Sequence, residues 1–323
     1  MRKILLSGVK PTGRPHIGNY LGAMRQFVDL QEEYDSRIFI ADLHGLNTIH
    51  DRDQLYTGSL DIALDYLAIG LDPKKVILYK QSDIPEVTEL AWIFNTLTTV
   101  PYLQRAHAYK DAMAKNKEVD VGTFCYPLLM AADILIHDAD VVPVGLDQKQ
   151  HIEITRDTAE KFNNAYGETF KLPKELIQKE TAVIPGTDGQ KMSKSYNNTI
   201  PLFASDEEVT KTVMSIATDS KTPEETKTTE GDTLYTLHTL FTTGGDLDKV
   251  KEGYEKGGLG YKESKEILIK HIIELITPLR EKRFELAKDV ETVKEILKDG
   301  AKRARKYTDQ KMEIVRKKVG LSI

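Results

Sequence analysis

Apolar positions along the first 150 residues switch between two periods. Short β-like runs, 4-ILLSGV-9, 37-RIFIAD-42, 76-VILYK-80 and 140-DVVPV-144, alternate with stretches of helical spacing near 18–34, 53–68, 86–98 and 123–137. Strands that alternate with helices read as βαβ units, which predicts a doubly wound α/β parallel sheet with helices on both faces. Ligands of such sheets sit outside the carboxyl ends of the strands, where the strand order switches, so the residues just after each strand draw attention. From about Ser205 the strand signal fades. Helical periodicity governs 205–217, 233–242, 260–277, 279–298 and 301–319, and the polar, threonine-rich run 219-DSKTPEETKTTEGD-232 reads as a loop. The pattern predicts an α/β domain over 1–200 and an all-α domain over 201–323.

Composition refines this picture only slightly. With 323 residues, 40% apolar content and a formal charge of −5, the chain has the length and make-up of about two soluble domains. The longest apolar run, 127-PLLMAADILI-136, contains Asp133 and is too short to cross a bilayer, so no membrane partner is expected. The N-terminal MRKILLSGVK is interrupted by Gly8 and Lys10, with no small-residue cleavage site after it, which argues against a leader. One cysteine, Cys125, allows no intramolecular disulfide and suits a reducing cytoplasm. Eight histidines and one cysteine show no finger-like spacing, so no protein-held metal is expected. The acidic balance argues mildly against a protein that simply coats nucleic acid.

Two segments carry candidate chemistry. In 7-SGVKPTGRPHIGNYLGA-23 a β-run ends in a glycine-containing loop and a helix opens near Gly18. Glycines at a strand-to-helix turn let backbone N–H groups approach an anion, and the helix N-terminus adds a favourable dipole. His16 and Asn19 flank Gly18 on the first turn as hydrogen-bonding groups, although an ordinary Gly/Pro-rich cap explains this segment equally well by itself. In 185-PGTDGQKMSKS-195, Lys191 and Lys194 are spaced to reach one polyphosphate, with Ser193 and Ser195 as further donors. Alone, such a run is ordinarily a solvated surface.

Together, H-I-G-N near the start and K-M-S-K-S downstream resemble the paired signature of class I aminoacyl-tRNA synthetases. The runs 125-CYPLLMAADILI-136 and 141-VVPVGLDQKQHIEITRDTAEKFN-163 are similar to the tryptophanyl-tRNA synthetases of bacterial type, as are 37–46, 186–203 and 217–220. The resemblance extends to about residue 232, and more loosely into the C-terminal helices. It implies a Rossmann-like sheet with an inserted helical segment near 100–135 that forms a homodimer interface, and a helical domain that reads the tRNA anticodon. The implied reaction is ATP-dependent activation of L-tryptophan to tryptophanyl-adenylate, then transfer to tRNA(Trp), in the cytoplasm, with Mg²⁺ carried by the ATP phosphates. By the same resemblance, His16, Gly18 and Asn19 contact the nucleotide, while Lys191 and Lys194 hold the departing pyrophosphate within the loop completed by Met192, Ser193 and Ser195. Lys10 and Lys110 approach the phosphates, and Gly145 and Asp147 follow the strand ending near Val144, with Asp147 suited to the ribose hydroxyls. Asp133 corresponds to the acceptor for the indole N–H. Leu6, Met130, Val142 and Val144 line the ring, Tyr126 and Gln148 bind the α-amino group, and His44 lies near the carboxylate. Leu6, Lys10 and Leu146 depart from the family pattern, where phenylalanine, glutamine and glutamate are common.

The segment 298–318 holds nine basic and three acidic residues, a local balance of +6 within an acidic chain. It reads either as a phosphate-tracking surface or as a solvated amphipathic helix. A tyrosyl-tRNA synthetase shares the fold and chemistry, but the first strand carries no tyrosine and 141–163 looks tryptophanyl. A small nucleotidyltransferase leaves K-M-S-K-S and the helical domain unexplained. A non-catalytic tryptophan- or tRNA-binding paralogue has no need of Lys191 and Lys194, and both are present.

Overall fold

Strands buried on both faces need near-continuous apolar runs, and the segments rich in leucine, isoleucine and valine form such a sheet. In the computed structural model, which describes residues 2–114, 118–145, 148–177 and 184–322, five strands run parallel. They are β1 (Ile4–Val9), β2 (Asp35–Ile40), β3 (Ile77–Lys80), β4 (Val141–Val144) and β5 (Lys174–Ile177), in the order β3-β2-β1-β4-β5. The order reverses at β1, so the switch point lies between the carboxyl ends of β1 and β4. Leu5, Leu6, Ile38, Ile40 and Leu78 are buried in this sheet. Gly8 is needed beside Phe39, because a Cβ there would lie 2.5 Å from the Phe39 ring. β5 was not anticipated: its sequence, KELI, has a single β-branched residue.

By packing, the described residues form two compact units. The first contains the residues up to Gly13, Val28 to Ile177, and Asp289 onward; the second contains Arg14–Phe27 and Ile184–Lys288. This partition runs differently from a boundary at residue 200. The loop 185–195 packs in the second unit, and the last helix, Val290–Val319, packs in the first.

That last helix begins where the Asp289 carboxylate accepts the Thr292 N–H at 3.1 Å. Gly300 lets it press onto β3, since a Cβ there would fall 1.8 Å from the Leu78 carbonyl oxygen. Ala304, Met312 and Val315 join the core shared with Phe94 and Phe162. Four of its cations are engaged at home. Arg303 donates to the Pro73 carbonyl at 2.7 Å, Arg305 to that of Asp83, and Lys311 to that of Thr169, with an ion pair to Asp138 at 2.7 Å. Arg316 makes a two-point pair with Glu89, and Tyr307 lies over the buried Arg37 guanidinium at 4.0 Å. These four residues of the +6 segment therefore fasten this unit's own fold.

In the second unit, helices Asp206–Met214, Thr233–Phe241, Gly245–Lys256 and Tyr261–Lys288 bury Val209, Val213, Leu237, Val250, Leu268 and Ile272. The expected break between 277 and 279 is absent; the helix continues through Pro278. No described helix is long and apolar enough to cross a membrane.

Candidate active site

At the carboxyl ends of its strands the first unit gathers a half-polar cluster of side chains. The helix Val121–Ile136 carries Tyr126, Met130 and Asp133 at steps of four and three, hence on one face. His44 follows β2 on the short helix Asp42–Gly45, and Gln81 is the first residue after β3. Asp133, 3% exposed, accepts from Gln81 Nε2 at 2.9 Å (Oδ1) and 2.8 Å (Oδ2), and its Oδ2 lies 3.9 Å from His44 Nδ1. The Tyr126 ring stands edge-on to His44, with its hydroxyl 3.0 Å from His151 Nε2. Lys10, just beyond β1, places Nζ 5.5 Å from the centre of the Tyr126 ring. Leu6, Val142 and Val144 are buried in the adjoining core, and Met130 packs against it.

Burial dominates the electrostatics here. It holds His44 down at about 4, so the imidazole is neutral at neutral pH. Burial also pushes the Asp133 carboxyl up, with the Gln81 hydrogen bond working the other way, and lowers Lys10. Gln148 is half-buried ahead of the helix Lys149–Tyr166, Gly145 is exposed after β4, and Lys110 is exposed on the helix His107–Ala114. Asp147 and Leu146 lie outside the described residues. Gln81 escaped the sequence reading. The signal was there, since a polar residue directly after a strand falls in the zone where such sheets bind ligands.

The second unit holds the other set. His16 caps the single turn Ile17–Asn19: the Asn19 N–H donates to His16 Nδ1 at 3.2 Å, and Asn19 Oδ1 accepts the His16 N–H at 3.1 Å. The turn passes into a π-helical segment, Tyr20–Met24, in place of the continuous helix expected over 18–34. Because Nδ1 accepts, the ring proton sits on Nε2. Burial, then the charge of Lys194, holds His16 down at about 4, so it is a neutral donor at physiological pH. The backbone of this turn is fastened to the chain just after K-M-S-K-S, with Ile17 N–H donating to Ile200 O at 2.9 Å and Leu202 N–H to Pro15 O at 3.0 Å. A Cβ on Gly18 would lie 3.3 Å from Met192 Sδ, and Met192 is buried. Two motifs far apart in sequence thus meet within one unit.

Lys191, Lys194 and Ser195 are exposed, and Ser193 accepts the Ser195 N–H at 3.3 Å. The fastener of this loop is the buried Asn198, a second residue the sequence reading missed. Its Oδ1 accepts the Ser193 N–H at 2.8 Å, and its Nδ2 donates to Asp188 at 2.7 Å and to the Lys191 carbonyl at 3.2 Å. Gly186 makes room for it, since a Cβ there would lie 2.2 Å from Asn198 Nδ2. Asn198→Ala removes three hydrogen bonds and is expected to lower stability by about 1–3 kcal/mol. It should also speed hydrogen exchange at the Ser193 amide, which loses its acceptor. Urea melts and exchange rates check this; unchanged values in both would refute the fastening role.

A doubly wound sheet with a buried polar cluster at its strand ends, and a capped H-I-G-N turn packed beside a K-M-S-K-S loop, defines a class I aminoacyl-tRNA synthetase. A family model described as "tRNA synthetases class I (W and Y)" matches residues 2–277, and the chain belongs to that family. The tryptophan--tRNA ligase of Rhodopirellula baltica is 49% identical over 317 residues, covering 98% of this chain and 99% of that one. The crystal structure of tryptophanyl-tRNA synthetase from Campylobacter jejuni, complexed with ADP and tryptophan, is similar with a TM-score of 0.94 at 44% identity, covering 98% and 99% of the two chains. That from Mycoplasma pneumoniae gives 0.81 at 29% identity, covering 100% and 99%. Within the family, the chain groups with these bacterial tryptophanyl enzymes.

Proposed function

We propose that this chain activates L-tryptophan with ATP, forming tryptophanyl-adenylate and pyrophosphate, and passes the acyl group to the terminal ribose of tRNA(Trp). The observation that carries this reading is the packing of the capped His16–Asn19 turn beside Met192 in a unit that also presents Lys191 and Lys194. The tryptophan carboxylate attacks the α-phosphorus as pyrophosphate leaves. Both groups are anionic, so the protein's work is in-line positioning and neutralisation of charge. Lys191 and Lys194 take the departing pyrophosphate, and His16 Nε2–H, the Asn19 amide, Ser193 and Ser195 donate to phosphate oxygens. Gly18 leaves room for the nucleotide against the backbone, Met192 fixes the loop beside it, and Lys10, Lys110, Gly145 and Asp147 complete the ATP contacts. Mg²⁺ carried in with ATP would supply further neutralisation.

In the amino-acid pocket, Asp133 accepts the indole N–H, a match of one acceptor group to a ring with one donor and no acceptor. Leu6, Met130, Val142 and Val144 pack on the ring, Tyr126 and Gln148 hold the α-amino group, and His44 lies near the carboxylate. Pairing of two copies through the segment near 100–135 is supported by exposed Val100, Met113 and Val121, with Trp92 71% exposed nearby in sequence. The helices after residue 201 are the proposed anticodon readers, and the cytoplasm is the proposed location.

Pyrophosphate exchange into ATP, run with each amino acid separately, tests the reading. Exchange with tryptophan alone is expected. Exchange with tyrosine in its place would sink the specificity, and none at all would mark a binding protein.

A further inference from the structure

The amide of Gln81 is 1% exposed and every group around it constrains which way it faces. The backbone N–H of His44 donates to Oε1 at 3.3 Å, and an N–H has no other role, so the oxygen must face it. Nε2 then faces Asp133, at 2.9 and 2.8 Å from its two oxygens, and His44 Nδ1, at 2.9 Å. Nδ1 is nearer to Nε2 than to Oε1, which lies at 3.2 Å. One amide hydrogen serves the imidazole and the other the carboxylate.

We propose that Gln81 is a positioning residue that sets the hydrogen-bond polarity of both neighbours: it orients the Asp133 carboxylate as the acceptor for the indole N–H and keeps the His44 proton on Nε2. A ring nitrogen that accepts at Nδ1 carries its hydrogen on the opposite nitrogen, so His44 is a donor toward the rest of the pocket. Donation from Nε2 favours the ionised form of Asp133 against the effect of its burial. Without that donor, the buried carboxyl keeps a proton more readily, and a protonated oxygen directed at the indole opposes its N–H. Gln81 touches no substrate in this scheme; it acts through Asp133 and His44. The inference rests on the reading of Asp133 given above.

The test compares tryptophan with β-(3-benzothienyl)alanine, in which sulfur replaces the indole N–H, by pyrophosphate exchange. The unmutated protein is expected to prefer tryptophan by about 10²-fold or more in kcat/KM, because a polar site left without its partner rejects the analogue. Gln81→Met keeps the length and removes the hydrogen bonds. It should raise the tryptophan KM at least about tenfold with kcat within about threefold, and leave the analogue within about threefold, so that the preference collapses. Gln81→Glu, which keeps the shape, should give the same collapse and serves if the methionine variant does not fold. Equal losses for both substrates, or an unchanged preference, would overturn the proposal. An unmutated protein without preference would instead overturn the Asp133 reading, and the proposal with it.

Discussion

Replacing Lys194 by alanine is expected to lower tryptophan-dependent pyrophosphate exchange by about 10²–10³-fold, while tryptophan affinity changes by less than about threefold. The asymmetry follows from where charge moves. Lys194 stands on an exposed loop that Asn198 and Ser193 hold in shape, and its field is felt at His16. In the proposed role, an ammonium there gains most when negative charge gathers on the leaving pyrophosphate, so its removal would cost the transition state more than the ground state. In the proposed scheme the amino-acid pocket is formed by other residues, Asp133 and Met130 among them, so tryptophan affinity is spared. Exchange kinetics and equilibrium dialysis of tryptophan separate the two effects. A variant that loses tryptophan binding and keeps its turnover would remove Lys194 from the phosphate role.

Asp133→Asn is expected to cost about 10²-fold or more in kcat/KM for tryptophan, most of it in KM. The substitution keeps the size of the side chain and still fails, because the count of donors and acceptors no longer closes. Asp133 receives Gln81 Nε2 at both oxygens, and the Gln81 amide is held from turning by the His44 backbone N–H. An asparagine has one oxygen to offer. If it faces Gln81, its NH₂ meets the indole N–H; if it faces the indole, its NH₂ meets the Gln81 NH₂. Either way a buried donor confronts a donor, a penalty of about 1–3 kcal/mol for each unsatisfied group. Steady-state kinetics checks this, with a thermal melt to show that the fold persists; a KM within threefold of the original would refute it.

How far the sequence foretold this architecture depends on the kind of interaction involved. β1, β2, β3 and β4 announced themselves through apolar runs, because a parallel strand buried on two faces cannot be polar on either. The helices 52–68, 86–97 and 121–136 fall within two residues of the periodic reading. Pairing of the H-I-G-N and K-M-S-K-S motifs was legible as resemblance, and the packing of Met192 beside Gly18 gives it a physical form. Gln81 and Asn198 were not legible. Each acts by satisfying partners distant in sequence or folded back on a loop, and a single polar letter does not reveal which atoms it will meet. The grouping of residues by packing was not legible for the same reason. Periodicity marks 290–319 as amphipathic, but only tertiary contact shows that its apolar stripe belongs over β3 and beside Phe94.

The return of that final helix to the first unit has a consequence for biosynthesis. The ribosome delivers β1 through β5 long before residues 290–319, yet Gly300, Ala304, Met312 and Val315 close one side of the sheet and its core. Until those residues leave the exit tunnel, the nascent sheet carries an uncovered apolar flank, a state open to aggregation and to capture by chaperones. The second unit, wholly synthesised by then, has no such wait. Vectorial synthesis therefore reverses the order that the sequence suggests: the unit begun first is the one completed last.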